Sequence, residues 1–148
     1  MCGIFSIINN VYNFSNVSSS FMKGVGRGPE YSCIEPYDRD KEDGHILMGF
    51  HRLAINGYLD ERSNQPFNID DINLICNGEI YNWNELYSII GDDCRKSNSD
   101  CEVIIHLYKR YGIKQTLQML DGVFAFVLLD RTKGKIYVAR DTYGVRPL

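Results

Sequence analysis

The sequence predicts a layered α+β sandwich. Strand-like segments occupy both ends of the chain, and helical periodicity fills the stretch between them. Residues 123–129 form a continuous apolar run, the pattern of a strand buried on both faces. At 148 residues, 44% apolar and 24% charged, the chain is long enough for one domain with a substantial core.

Each element follows from local pattern. Residues 2–9 read as a first strand that the asparagines at 9, 10 and 13 interrupt. Val17, Phe21 and Val25 recur every four residues, which predicts a short helix over 15–24 despite three successive serines. Residues 24–28 are glycine-rich, but no strand precedes them and no helix pattern follows, so a turn is expected rather than a phosphate loop. Residues 29–44 hold Pro29, Pro36 and many charges and read as a surface loop. Residues 45–55 read as a strand, followed by a loop of some fifteen residues to Asp71. A short strand over 72–76 is expected to stop at Asn77-Gly78, a turn dipeptide. A helix over 82–90 has Glu85 at the capping-box position. Ser99 opens another, with Glu102 three residues on and Gly112 closing it, and 113–120 form a third. The run 123–129, a turn at 131–134 and residues 135–140 make a hairpin.

Composition narrows the function. A net charge of −3 and a pI near 5.6 argue against nucleic-acid binding. No stretch approaches the roughly 20 apolar residues of a membrane span. The N-terminus has no basic segment followed by an apolar run and a cleavage site, so a cytoplasmic location is expected. In that location Asn13 and Asn16 lose meaning as glycosylation acceptors. The five cysteines are scattered, and His45, His51 and His106 are not at zinc spacing, so no metal site or cofactor is expected.

Cys2 follows Met1 directly. Removal of Met1 would leave a thiol and a free α-amine on one residue, with ordinary pKa values of about 8.5 and about 7.7–8.0. That is a nucleophile beside a base, with proton exchange near neutral pH. Arg52, at the end of an apolar strand, can clamp a carboxylate or simply form an ion pair. Asn77-Gly78 can give an amide and a backbone N–H to an oxyanion, or be a plain turn. Asp100 can neutralise an ammonium, or merely favour a helix dipole. Taken together, a thiol, an oxyanion hole and one charge of each sign fit an amino acid with a side-chain amide, glutamine or asparagine.

The order of motifs carries a resemblance. Cys2-Gly3-Ile4-Phe5, Arg27-Gly28-Pro29-Glu30, His51-Arg52-Leu53-Ala54-Ile55, Asn77-Gly78-Glu79-Ile80-Tyr81-Asn82, Ser99-Asp100-Cys101-Glu102, Gly122-Val123-Phe124-Ala125-Phe126 and Ala139-Arg140-Asp141 with Gly144-Val145-Arg146-Pro147-Leu148 follow in sequence. In this order the chain resembles the glutamine amidotransferase domain of glutamine-hydrolysing asparagine synthetase, a class II amidotransferase of the N-terminal-nucleophile hydrolase type. The resemblance implies a four-layer αββα sandwich and hydrolysis of L-glutamine to glutamate and ammonia through a thioester. It implies Cys2 as nucleophile, its α-amine as base, and Asn77 and Gly78 as oxyanion hole. Arg52 would bind the substrate carboxylate and Asp100 its amino group, with Ile55, Asn56 and Glu79 lining the pocket, mostly through backbone. The family departs from this sequence at Gly26, where histidine is common, and at Glu30, where aspartate is usual.

In that family a second domain uses ATP and magnesium to activate aspartate, and nothing in residues 1–148 resembles its pyrophosphate loop. The expectation is therefore one amidotransferase domain over 1–148, truncated at its C-terminal side, with an unpaired sheet edge. Its partners would be L-glutamine and a separate ATP-dependent synthetase subunit. Two other outcomes compete: a glutamine- or partner-binding module without turnover, and a remnant that does not fold stably.

Overall fold

The computed structural model describes residues 2–9, 12–38 and 45–148. Gly3–Asn9 (β1), Tyr31–Asp38 (β2) and His45–Arg52 (β3) form one antiparallel sheet, in the order β1-β3-β2. Phe67–Ile69 (β4), Ile72–Ile80 (β5), Gly122–Asp130 (β6) and Lys135–Arg140 (β7) form a second, in the order β4-β5-β6-β7. All its pairs are antiparallel too.

Strand alternation assembles the layers. On β3, Ile46, Met48 and Phe50 face the second sheet and meet Ile75, Val127 and Leu129 in the inter-sheet core. The opposite face of β3 carries Gly49 and His51. Phe14–Met22 (α1) covers it, with the Phe21 ring stacked on His51 at 3.9 Å between centroids. The other face of the second sheet, with Leu74, Phe124, Phe126 and Leu128, packs on Trp83–Ile90 (α2) and Val103–Met119 (α3). The layers therefore run α, β, β, α. The β6 run is buried from Phe124 to Asp130, as its unbroken apolar pattern predicts. Gly112 interrupts α3 with φ 75°, so the predicted stop is a kink between two helical segments.

Four expectations fail for physical reasons. The segment expected as a loop over 29–44 contains β2, paired along its length with β3. Pro36 is tolerated there because β2 is an edge strand; residues 39–44 of that expectation lie outside the described residues. The loop to Asp71 holds β4 and a 3-10 turn at Glu61–Ser63. Asn77-Gly78 is not a turn: β5 continues to Ile80, paired with β6 through Gly122. Gly78 serves close approach instead, since a Cβ there would sit 2.4 Å from the Val123 carbonyl oxygen. Before α2 the capping box does not form, because the Asn82 side chain bonds Met119 O and the Asp121 N–H, bridging to the end of α3. Among the described residues no helix is long and apolar enough to cross a membrane.

Candidate active site

The ends of β3 and β5 meet over one cleft. Cys2, Arg52, Ile55, Asn56, Asn77, Gly78, Glu79 and Asp100, all singled out from the sequence, line it. Alternation accounts for the meeting: Arg52 continues the inward face of Ile46, Met48 and Phe50, and Asn77 continues the sheet-facing side of Ile75.

Cys2 lies just before β1, whose first pair is Gly3 with His51. Its Sγ donates to Leu53 O at 3.4 Å and accepts from the Leu53 N–H at 3.3 Å. Burial pushes the thiol above its ordinary pKa, while the Leu53 N–H pulls the other way without prevailing. The end of β3 is crossed closely by Gly28, where a Cβ would lie 2.3 Å from the Arg52 carbonyl carbon. That contact explains a glycine beside Arg27.

Arg52 is 6% exposed. Its Nη1 donates to Asn64 Oδ1 at 2.7 Å, and its Nη2 to Asn56 O at 3.2 Å and to Gly57 O. Among the described residues it has no carboxylate within ion-pair distance. Asp100, also buried, accepts from the Ile80 N–H at 2.7 Å and from Asn56 Nδ2 at 3.1 Å. Asn56 thus touches both charged groups, Arg52 through its backbone carbonyl and Asp100 through its side chain. Ile55 is 59% exposed and contributes only a rim. Glu79 pairs with Arg146 Nη2 at 3.5 Å.

The family model of the glutamine amidotransferase domain matches residues 1–148. The chain belongs to that family. It is 42% identical over 151 aligned residues to a chicken (Gallus gallus) protein named glutamine-hydrolysing asparagine synthetase. It is 40% identical to its namesakes in cattle (Bos taurus) and human (Homo sapiens). In each case all of this chain is covered and 26% of the relative. The chain spans about a quarter of the length of these curated relatives.

Gln65 and Arg146, which line the cleft, and Asn64, which holds Arg52, escaped the sequence reading. Asn64 and Gln65 lie in what looked like loop, and nothing but their place before Pro66 marks them. Arg146 stood inside a quoted motif without a role. Its turn is built by Asp141, whose carboxylate accepts backbone N–H groups of Phe124, Tyr143, Val145 and Arg146 at 2.9–3.2 Å. Burial opposes ionisation of Asp141, but these donors outweigh it and hold the carboxyl below its ordinary range.

Proposed function

We propose that this chain is the glutaminase unit of an asparagine-synthetase-type system, hydrolysing L-glutamine to L-glutamate and ammonia. The observation that carries the reading is a pair of charges, Arg52 and Asp100, without an ion-pair partner among the described residues and in one cleft with the Cys2 thiol. A buried guanidinium with only neutral acceptors is a site for an anionic ligand group. The α-carboxylate of glutamine goes to Arg52 and its α-ammonium to Asp100. The side-chain amide then extends toward Cys2.

Removal of Met1 exposes the α-amine of Cys2, which takes the thiol proton as sulfur attacks the amide carbon. The oxyanion receives hydrogen bonds from the Asn77 side chain and the Gly78 N–H. Collapse of the tetrahedral adduct breaks the C–N bond, the amine's proton leaves with ammonia, and a γ-glutamyl thioester remains for water to cleave. No metal or cofactor enters this sequence. Ammonia passes to an ATP-dependent synthetase unit, on a separate subunit or on the same polypeptide. All five cysteines are free, which suits a reducing cytoplasm.

The test is glutamate release by protein shown by intact mass to begin at Cys2. Activity is expected, and Cys2→Ala should lower it by at least about 1,000-fold while glutamine still raises the melting temperature. Glutamine binding with no glutamate release, alone or with a synthetase, would instead establish a non-catalytic binding module.

A further inference from the structure

The β4–β5 hairpin turns through Asp70 and Asp71, with Ile69 opposite Ile72, Asn68 opposite Asn73 and Phe67 opposite Leu74. A two-residue turn makes the first of these a hydrogen-bonded pair, and such pairs recur at every second position. The next after Phe67–Leu74 would join residues 65 and 76. Pro66 has no N–H, and the β4 backbone leaves the ladder at Phe67. The rung at 76 is nevertheless made. Gln65 Oε1 accepts the Cys76 N–H at 2.6 Å, and Gln65 Nε2 donates to Cys76 O at 3.2 Å. A carboxamide offers one donor and one acceptor in the plane of a peptide group, so it can replace the missing backbone. Gln65 is 4% exposed.

The same edge of β5 continues into the cleft. Backbone groups of residues 76, 78 and 80 point the same way, away from β6. The Ile80 N–H is held by Asp100 Oδ2, and Gly78 O accepts the Cys101 thiol at 3.7 Å. Gly78, which lines the cleft, lies between the two tethered positions with its N–H on that same edge.

We propose that Gln65 is a positioning residue: its side chain extends the sheet by one rung at Cys76 and so fixes where the Asn77 amide and the Gly78 N–H point. This rests on the glutaminase reading for its chemical consequence, but the placement of the Gly78 N–H is measurable without turnover. Gln65 does not touch the reacting atoms. It acts through β5, where a displacement of about 1 Å is enough to cost roughly 100-fold in rate. Glutamate at 65 separates this role from bulk. Ionised, it can accept from the Cys76 N–H but repels Cys76 O. Protonated, it can donate again, so the defect must deepen with rising pH.

The experiment compares wild type, Gln65→Glu and Gln65→Met by 15N NMR and by glutaminase kinetics. In both variants the Gly78 amide resonance should shift and its exchange quicken, while the Ile80 amide keeps its protection. Both should lower kcat about 10- to 100-fold with KM changed less than about 3-fold, because Arg52 and Asp100 are untouched. The kcat ratio of Gln65→Glu to wild type should recover as pH falls. An unmoved Gly78 amide, or a ratio flat with pH, would overturn the proposal. Wild type inactive with a Gly78 amide that still responds to Gln65 would instead sink the glutaminase reading and leave the strand-positioning role standing.

Discussion

Arg52 and Asp100 carry opposite charges in one cleft and do not pair with each other. Each is held by neutral groups, and Asn56 touches both, giving its carbonyl to Arg52 and its amide to Asp100. Two charges kept apart in a buried site leave each with unmet electrostatic demand. A zwitterionic amino acid meets both demands at once. Replacing Asp100 with Asn keeps an oxygen for the Ile80 N–H and removes the charge. The expected result is a KM for glutamine raised about 10- to 100-fold, equivalent to the roughly 1.5–3 kcal/mol of a charge-assisted hydrogen bond. The melting temperature should not fall by a comparable amount. Steady-state kinetics beside a thermal melt checks this, and an unchanged KM would remove Asp100 from the substrate's ammonium.

At the scale of elements, the turn after β7 depends on one carboxylate. Asp141 gathers four backbone N–H groups and so aims Arg146 at Glu79. Its depressed pKa fixes the sign of the pH effect. The stability it adds is present above the unfolded carboxyl pKa of about 3.9 and disappears as pH falls through the lower folded value. Asp141→Asn should therefore lower the urea midpoint at neutral pH, with the gap to wild type closing in acid below about pH 4. A gap that stays constant from neutral pH into acid would assign the loss to shape rather than charge. The elements also show what the sequence makes legible. Apolar runs at 2–9, 72–76 and 123–129 declare their strands because burial repeats every residue or every second one. β2 hides because an edge strand tolerates Pro36 and charges. The end of β5 hides because Asn77-Gly78 has the composition of a turn, while its glycine is needed for contact with Val123 and Phe124. The charged and nucleophilic cleft residues were visible by type and order. Gln65 and Asn64 were not, because a side-chain amide that completes a backbone ladder or holds a guanidinium leaves no periodicity behind.

The whole molecule places the cleft across a seam. Cys2, just before β1, and Arg52, at the end of β3, lie on the side of the three-stranded sheet; Asn77, Gly78 and the Asp100 contact at Ile80 belong to the four-stranded one. The four-stranded sheet is secured by the larger core beneath α2 and α3. The three-stranded sheet is joined to it through the smaller set around Met48, Phe50, Ile75 and Val127. The seam is thus the weaker boundary, and the cleft is complete only while it holds. Met48, fully buried there and away from the cleft lining, tests this. Met48→Ala should destabilise by about 2–5 kcal/mol, and unevenly. Trp83, the single tryptophan, packs against the helix-side core with the Arg95 guanidinium 4.6 Å from its ring, so its fluorescence reports that side. Amide hydrogen exchange along β3, followed by mass spectrometry, reports opening of the three-stranded sheet. In wild type the two signals should change at one urea concentration. In Met48→Ala, the β3 amides should exchange at lower urea than the Trp83 transition. Coincident transitions in the variant would mean that both sheets open as one cooperative unit and that the seam has no separate stability.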